Sequence, residues 1–78
     1  MTFNIVKKII VDTINCEPEA VTPEADLIND LEIDSLAFVE LSMALEEELG
    51  IVIDDEKMVG LKTVADFVKL IDTLQAGN

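Results

Sequence analysis

Apolar residues recur at helical spacing near the start of the chain, and this pattern predicts a first amphipathic helix. Positions three or four residues apart lie on one face of a helix, which this stretch would turn towards a core. We predict the helix over residues 2–15, with Thr2 as its N-cap. We expect the segment around Pro18 to end it, because proline disfavours helical geometry in the residue before it. The apolar face consists of Phe3, Val6, Ile9, Ile10 and Ile14.

A long connection is predicted over residues 16–34, and it contains both a turn signal and apolar anchors. Thr22 followed by Pro23 is typical of a cap and a first helical residue, so we predict one short turn there. A connection of this length in a compact domain is usually ordered for a reason. The apolar residues expected to anchor it are Leu27, Ile28, Leu31 and Ile33.

The second predicted helix, over residues 35–49 between an N-cap at Asp34 and a C-cap at Gly50, carries two apolar stripes. The stripe predicted to dock on the core consists of Phe38, Leu41, Leu45 and Leu49. The stripe on the roughly opposite side consists of Leu36, Val39 and Met43, and the acids that border it are Glu40, Glu46 and Glu47. Such a helix is buried on both sides, or carries scattered apolar residues at its surface, or presents an exposed strip that docks partners. We favour an exposed partner-docking strip, because apolar patches rimmed by charge mark interaction sites.

Two more helices are predicted after the second. Residues 51–53 are apolar and β-branched, and we interpret them as a buried connector to a short helix over residues 55–60. The last helix is predicted over residues 64–75, where Thr63 and Asp66 have the spacing of a capping box. Its predicted inner face consists of Val64, Phe67, Val68, Ile71 and Leu74.

These elements predict an all-α fold, a bundle of three long helices and one short helix with a long loop between helices 1 and 2. The 78 residues fit a single domain, residues 1–78. Three phenylalanines are the only aromatic residues, so the core must be largely aliphatic.

The chain is strongly acidic, with 17 acidic residues against 5 lysines and a net charge of −12. This charge argues against nucleic-acid binding, which needs clustered basic residues, and favours partners with basic surfaces.

Without histidine there is no ready general base, so we do not expect the chain to be an enzyme. A single cysteine, Cys16, excludes an internal disulfide. With no signal peptide and no apolar run of ~20 residues, we expect a cytoplasmic monomer.

Ser35 occupies the first position of the second predicted helix, directly after the Asp34 cap. Helix N-termini favour phosphate groups through their unpaired N–H groups and the helix dipole, although serine is common at such positions. The residues around it add a more specific signal. The run Asp34-Ser35-Leu36, then Val39-Glu40-Leu41, then Met43-Ala44-Leu45-Glu46-Glu47-Glu48 resembles the signature of acyl carrier proteins. The likeness also covers Val6-Lys7-Lys8-Ile9-Ile10, Asp30-Leu31 and Thr63-Val64, so it spans nearly the whole chain.

This resemblance implies a function and a cofactor. In that family the serine after the aspartate carries 4'-phosphopantetheine, so Ser35 is the expected attachment site, and a phosphopantetheinyl transferase would supply the arm from coenzyme A. Acyl intermediates would be held as thioesters for fatty-acid biosynthesis, or for polyketide or specialised lipid biosynthesis. The strip and its acidic rim would then dock the acyl-transferring, condensing and reducing enzymes, through their basic patches. No metal is expected.

Three positions depart from the family pattern. Glu32 replaces a usual glycine, Ala37 replaces a frequent acid, and Phe38 replaces a small or polar residue. These departures indicate a specialised carrier, and Phe38 is hypothesised to shorten the apolar cavity that holds the acyl chain.

Two alternatives stay open. A peptidyl or aminoacyl carrier would use the same scaffold and arm. An acidic calcium-binding module is the alternative from another class, because Asp30, Glu32 and Asp34 alternate as at the start of an EF-hand loop. The match is poor, since position six would be Ser35 in place of glycine and position twelve Leu41 in place of glutamate.

Overall fold

The computed structural model describes residues 2–58 and 60–76, and four α-helices lie within them. The elements in chain order are α1 (Thr2–Ile14), a 3₁₀ helix (Pro18–Ala20), α2 (Ser35–Leu49), α3 (Asp55–Met58) and α4 (Val64–Ala76). Three of the α-helices are long and one is a single turn, and the described residues form no strand beyond an isolated bridge. The all-α fold class is therefore confirmed. None of the described helices has the length and apolar character that crossing a bilayer requires.

Helix α1 ends at Ile14, and the residue that ends it is Asn15 rather than Pro18. Asn15 has φ 55°, in the left-handed region, and its N–H donates to the Val11 carbonyl at 2.9 Å. Asparagine tolerates this conformation better than most residues, which makes it a common helix terminator. Thr2, predicted as the N-cap, is itself helical, and its hydroxyl donates to the carboxylate of Asp72 in α4.

The core lies where α1, α2 and α4 meet, and the long loop closes one side of it. Phe67 is its one fully buried aromatic residue, and burial of such a side chain contributes about 2–3 kcal/mol. Aliphatic residues supply the rest of the core, as the composition predicted. The other fully buried side chains are Val6 and Ile10 from α1, Leu41 and Leu45 from α2, Val64 and Ile71 from α4, and Val21, Leu27 and Ile33 from the loop.

The long loop is ordered because it pairs with the start of α4. The N–H of Leu27 donates to the Lys62 carbonyl at 2.8 Å, and the N–H of Val64 donates to the Ala25 carbonyl at 3.0 Å. The first N–H groups of a helix have no partner within the helix. The loop therefore satisfies part of the start of α4 while fixing its own path towards α2. A tight turn at Pro23 precedes this pairing, as predicted.

Two residues expected to be buried are exposed instead. Ile28 was predicted as a loop anchor but is 58% exposed, and Val52 in the predicted buried connector is 77% exposed. The tight turn that begins at Asp26 directs Ile28 outward. Along the connector the side chains alternate, as in an extended chain, so that Ile51 and Ile53 are buried while Val52 points away from the core.

The capping box of α4 forms as predicted. The N–H of Asp66 donates to the Thr63 hydroxyl at 3.2 Å, and the N–H of Thr63 donates back to the Asp66 carboxylate at 3.2 Å. Two donors at the helix start are thereby satisfied. Helix α3 ends at Met58. The predicted continuation of α3 includes Val59, which lies outside the described residues.

Candidate functional site

The first turn of α2 presents Ser35 at the surface. Asp34 has extended backbone geometry, with φ −98° and ψ −176°, and its carboxylate accepts the N–H of Ala37 at 2.9 Å. This side-chain bond satisfies one of the unpaired donors of the helix start. Ser35 is thus the first residue of a 15-residue helix, and it is exposed to solvent.

The residue before the cap fastens this helix start to the core. Ile33 is 2% exposed, and its N–H donates to the Leu27 carbonyl at 2.9 Å. The buried Ile33 and the exposed Ser35 are two positions apart, on either side of the Asp34 cap. The hydroxyl is therefore accessible to another molecule while the backbone that carries it is held in place.

These surroundings fit a phosphodiester on Ser35. The Ala37 N–H is occupied by Asp34, but the N–H groups of Ser35 and Leu36 belong to the first turn, where no carbonyl within the helix faces them. The helix dipole also places partial positive charge there. An arm attached to the exposed hydroxyl would extend into solvent without displacing a core residue.

Glu32 adopts an unusual backbone conformation three residues before Ser35. Its φ of 55° lies in the left-handed region, which costs a residue with a Cβ about 1–2 kcal/mol. This conformation gives a physical reason for the glycine that the family resemblance led us to expect at this position. The departure from the family pattern was visible in the sequence, but the conformation behind it was not.

The second apolar stripe of α2 is exposed, which excludes a helix buried on both sides, and its role in docking stays a prediction. Leu36 is 68%, Val39 50% and Met43 62% exposed. On the other side, Leu41 and Leu45 are buried, as predicted for the core stripe, and its outer members Phe38 and Leu49 are partly buried against the core. We call the exposed residues Leu36, Val39 and Met43 the apolar strip.

The three acids expected beside the apolar strip do not share one environment. Glu40 and Glu47 are exposed, as a rim requires. Glu46 is partly buried, and its carboxylate accepts the N–H of Ile53 at 2.8 Å. Glu46 therefore has a structural contact that sequence reasoning missed, because its partner lies beyond the end of the helix. A direct role of Glu46 in docking stays a prediction.

Phe38 turns towards the core rather than to the surface. It is partly buried, and its ring meets that of Phe67 edge to face, with ring centroids 6.5 Å apart and an interplanar angle of 67°. This is a favourable aromatic geometry. The contact places Phe38 between α2 and α4, one turn after Ser35, and its proposed effect on acyl-chain length stays a prediction.

Two of the three carboxylates that suggested a calcium loop, those of Asp30 and Asp34, accept backbone hydrogen bonds, and so does that of the neighbouring Asp26. Asp26 accepts the N–H groups of Ile28 at 2.9 Å and Asn29 at 2.8 Å, and Asp30 accepts the N–H of Asp26 at 2.8 Å. The bond from the Asn29 backbone is the largest of the effects that hold the pKa of Asp26 below its ordinary value. Within residues 2–58 and 60–76, side chains of the metal-binding types do not gather in a group of three or more. Asp26 and Asp30 thus serve a turn, and Asp34 serves the cap of α2.

Comparison with known proteins agrees with the geometry, which fits a phosphodiester at the start of α2. A family model described as "phosphopantetheine attachment site" matches residues 4–71. The chain is 51% identical over 67 residues to an acyl carrier protein of Thermosynechococcus vestitus, covering 86% of this chain and 83% of the relative. An acyl carrier protein of Petrotoga mobilis is 45% identical over 69 residues, covering 88% and 81%. One of Coprothermobacter proteolyticus is 41% identical over 71 residues, covering 91% and 87%.

Proposed function

The chain belongs to the acyl carrier protein family, whose members carry acyl groups on covalently attached 4'-phosphopantetheine, and we propose that Ser35 is the residue that carries the arm. One observation supports this assignment above the others. The hydroxyl-bearing residue at the start of α2 is exposed, while the chain directly before it is capped and anchored in the core. Once attached, the arm supplies a thiol on which acyl groups are held as thioesters.

Attachment requires the Ser35 hydroxyl to act as a nucleophile in the active site of a phosphopantetheinyl transferase. The oxygen attacks the pantetheine-bearing phosphate of coenzyme A, a new P–O bond forms, and the pyrophosphate bond breaks to release adenosine 3',5'-bisphosphate. The hydroxyl proton passes to a base of the transferase. The Asp34 cap keeps the first turn of α2 formed during this step, which holds the hydroxyl in one position.

The partners in this proposal are enzymes with basic patches, namely the transferase and the enzymes that load, condense and reduce the acyl group. They would contact the apolar strip through apolar side chains and the exposed Glu40 and Glu47 through lysines or arginines. Charged groups around an interface raise association rates more than they raise affinity. This suits a carrier that must leave each enzyme after one step.

Chemistry at the thioester would belong to these partners and not to this chain. The absence of histidine from the sequence supports this view, since the commonest general base is missing. We further infer a monomer, because a net charge of −12 opposes self-association, and a cytoplasmic location, because a lone cysteine fits a reducing compartment. Fatty-acid or related lipid or polyketide biosynthesis is the proposed setting, and the relatives' names favour acyl over peptidyl cargo.

The attachment site can be tested because the chain contains two serines in very different environments. The purified protein is incubated with coenzyme A and a broad-specificity phosphopantetheinyl transferase, then weighed intact by mass spectrometry. We expect one added phosphopantetheine on the wild type and none on Ser35→Ala. Ser42→Ala is the matched control on the same helix, and it should gain the full mass because Ser42 is buried, at 7% exposed. No gain on the wild type, or a gain that persists in Ser35→Ala, would contradict the proposal.

A further inference from the structure

Val52 is the most exposed of the large apolar side chains that stand out on the described surface, at 77%. Its neighbours Ile51 and Ile53 are 7% and 6% exposed, so the segment is firmly seated in the core while Val52 projects from it. An isolated exposed valine needs no explanation. Its position relative to the apolar strip gives it significance.

Glu46 holds this segment at two points. Its carbonyl accepts the N–H of Gly50 at 2.8 Å, and its carboxylate accepts the N–H of Ile53 at 2.8 Å. Gly50 has φ 65° and ψ 37°, the left-handed geometry that turns the chain at a helix end. The chain therefore bends back at Gly50 and passes beside Glu46, with Val52 between the two fastened points.

Glu46 lies on the same side of α2 as the strip. Residues three, four and seven positions apart share a helix face, and Val39, Met43 and Glu46 have these separations. The segment fastened to Glu46 therefore follows the C-terminal end of the helix face that carries the strip. Val52 is the next exposed large apolar side chain along the chain after Met43.

The charges around Val52 repeat the arrangement along the helix. Exposed acids lie on both sides of it in the chain, Glu47 and Glu48 before it and Asp54 and Glu56 after it. No lysine occurs between Lys8 and Lys57. The surface is thus apolar at its centre and anionic at its edge over its whole length.

From this arrangement we infer that Val52 is a contact residue for the enzymes that act on the arm, and that Glu46 is the positioning residue that holds it in place. The inference rests on the proposed function and extends the same surface. The occupant is a partner enzyme with an apolar centre and a basic rim, matching the charge pattern described above. Glu46 acts on the partner through the Ile53 N–H and not through its charge.

Two probe enzymes test the contact residue, a phosphopantetheinyl transferase with coenzyme A and an acyltransferase that transfers a malonyl group from malonyl-coenzyme A to the arm. We expect Val52→Ser to lower kcat/KM roughly fivefold with both, chiefly through a higher KM, and Val52→Leu to retain wild-type values. The matched control is Leu70→Ser, a partly exposed apolar residue on α4, which should leave both rates unchanged. Wild-type kinetics for Val52→Ser would overturn the contact role.

Two substitutions of Glu46 separate positioning from charge. Glu46→Gln keeps an oxygen that accepts the Ile53 N–H, whereas Glu46→Ala removes the acceptor. Positioning predicts wild-type KM for Glu46→Gln, a raised KM for Glu46→Ala, and faster hydrogen exchange at the Ile53 amide in Glu46→Ala alone. An equal rise in KM for both variants would show that the charge matters and overturn the positioning role. If the wild-type chain accepted no phosphopantetheine, the proposed function itself would be contradicted. The mass measurement detects this result separately from unchanged kinetics in the Val52 or Glu46 variants.

Discussion

At the scale of single residues, the backbone is strained near Ser35, the proposed attachment site. Glu32 and Asn15 both have φ 55°, but the two residue types tolerate it differently. Asparagine enters the left-handed region with little strain, whereas a glutamate there lacks the short side chain that relieves it. Strain of this kind persists only where the surrounding structure enforces it. Here Leu31 and Ile33, buried on either side, enforce it.

Replacing Glu32 by glycine should stabilise the fold. Glycine adopts φ 55° without strain, and this gain exceeds its greater backbone entropy in the unfolded chain, so we expect roughly 0.5–1 kcal/mol of added stability. Urea unfolding followed by circular dichroism measures it. Glu32→Ala removes the same charge while keeping the Cβ. Asn15→Gly relieves the smaller backbone strain of an asparagine at the same φ. If Glu32→Ala stabilised the fold as much as Glu32→Gly, charge rather than strain would be the cause.

At the scale of elements, the long loop and the start of α4 form one unit. Loop carbonyls accept the first N–H groups of α4, and the turn that begins at Asp26 delivers the chain from this pairing to α2. The Asp26 carboxylate closes that turn by accepting two backbone N–H groups. The position of Ser35 thus depends on contacts made with a helix at the other end of the chain.

This turn should weaken in acid. The folded state lowers the pKa of Asp26, so its contribution to stability is complete above about pH 4 and is lost as the pH falls through the lower, folded-state pKa. Protonation of the other acids relieves repulsion at the same time, so the effect of Asp26 on stability must be measured against a variant that does not titrate at this position. Asp26→Asn keeps a side-chain acceptor but does not titrate. We expect the wild type to be the more stable at pH 7 by urea unfolding, with the difference shrinking towards pH 3. A constant difference would contradict this account.

At the scale of the whole molecule, charge is distributed unevenly. Of the 17 acidic residues, 14 lie between Glu17 and Glu56, where no lysine occurs. The same concentration of charge that would attract the proposed basic partners opposes folding by self-repulsion. Docking and stability should therefore respond to salt in opposite directions.

Reversing the charge of the rim should slow partner reactions. We expect Glu40→Lys combined with Glu47→Lys to lower kcat/KM for phosphopantetheine transfer at least tenfold at low salt, with the loss shrinking as added salt screens the wild type. The control, Glu17→Lys with Glu19→Lys, changes the net charge equally at exposed positions away from α2. An equal effect from both pairs would indicate that net charge, and not the rim, governs association.

Salt should stabilise the wild type. Raising sodium chloride from about 10 to 200 mM shortens the range of repulsion to below ~10 Å, and we expect about 1 kcal/mol of stabilisation, or 4–8 °C in Tm. The rim variant has a net charge of −8 instead of −12, because each Glu→Lys change adds two positive charges, so its Tm should rise less. Thermal unfolding by circular dichroism measures both. A Tm independent of salt would show that repulsion is already compensated.

The sequence by itself determined the features that depend on neighbouring residues. Helical spacing, the Asp34 and Gly50 caps and the Thr63–Asp66 capping box act within one or two turns, so the fold class could be predicted from them. The motif around Ser35, on which the proposed attachment site rests, is local in the same sense. Net charge and the scarcity of aromatic residues required only counting.

Tertiary structure decided what depends on distant parts of the chain. Helical periodicity predicted two apolar stripes on α2, but only the packing of its other side against the core, chiefly against α1, determined that Leu36, Val39 and Met43 stay exposed. The loop pairs with α4 through Ala25 and Val64, which no local pattern connects. Burial of Ile51 and Ile53 likewise turned Val52 outward and brought Ile53 to Glu46. Such contacts form because the whole chain closes one core, and a spacing rule over a few residues does not contain that information.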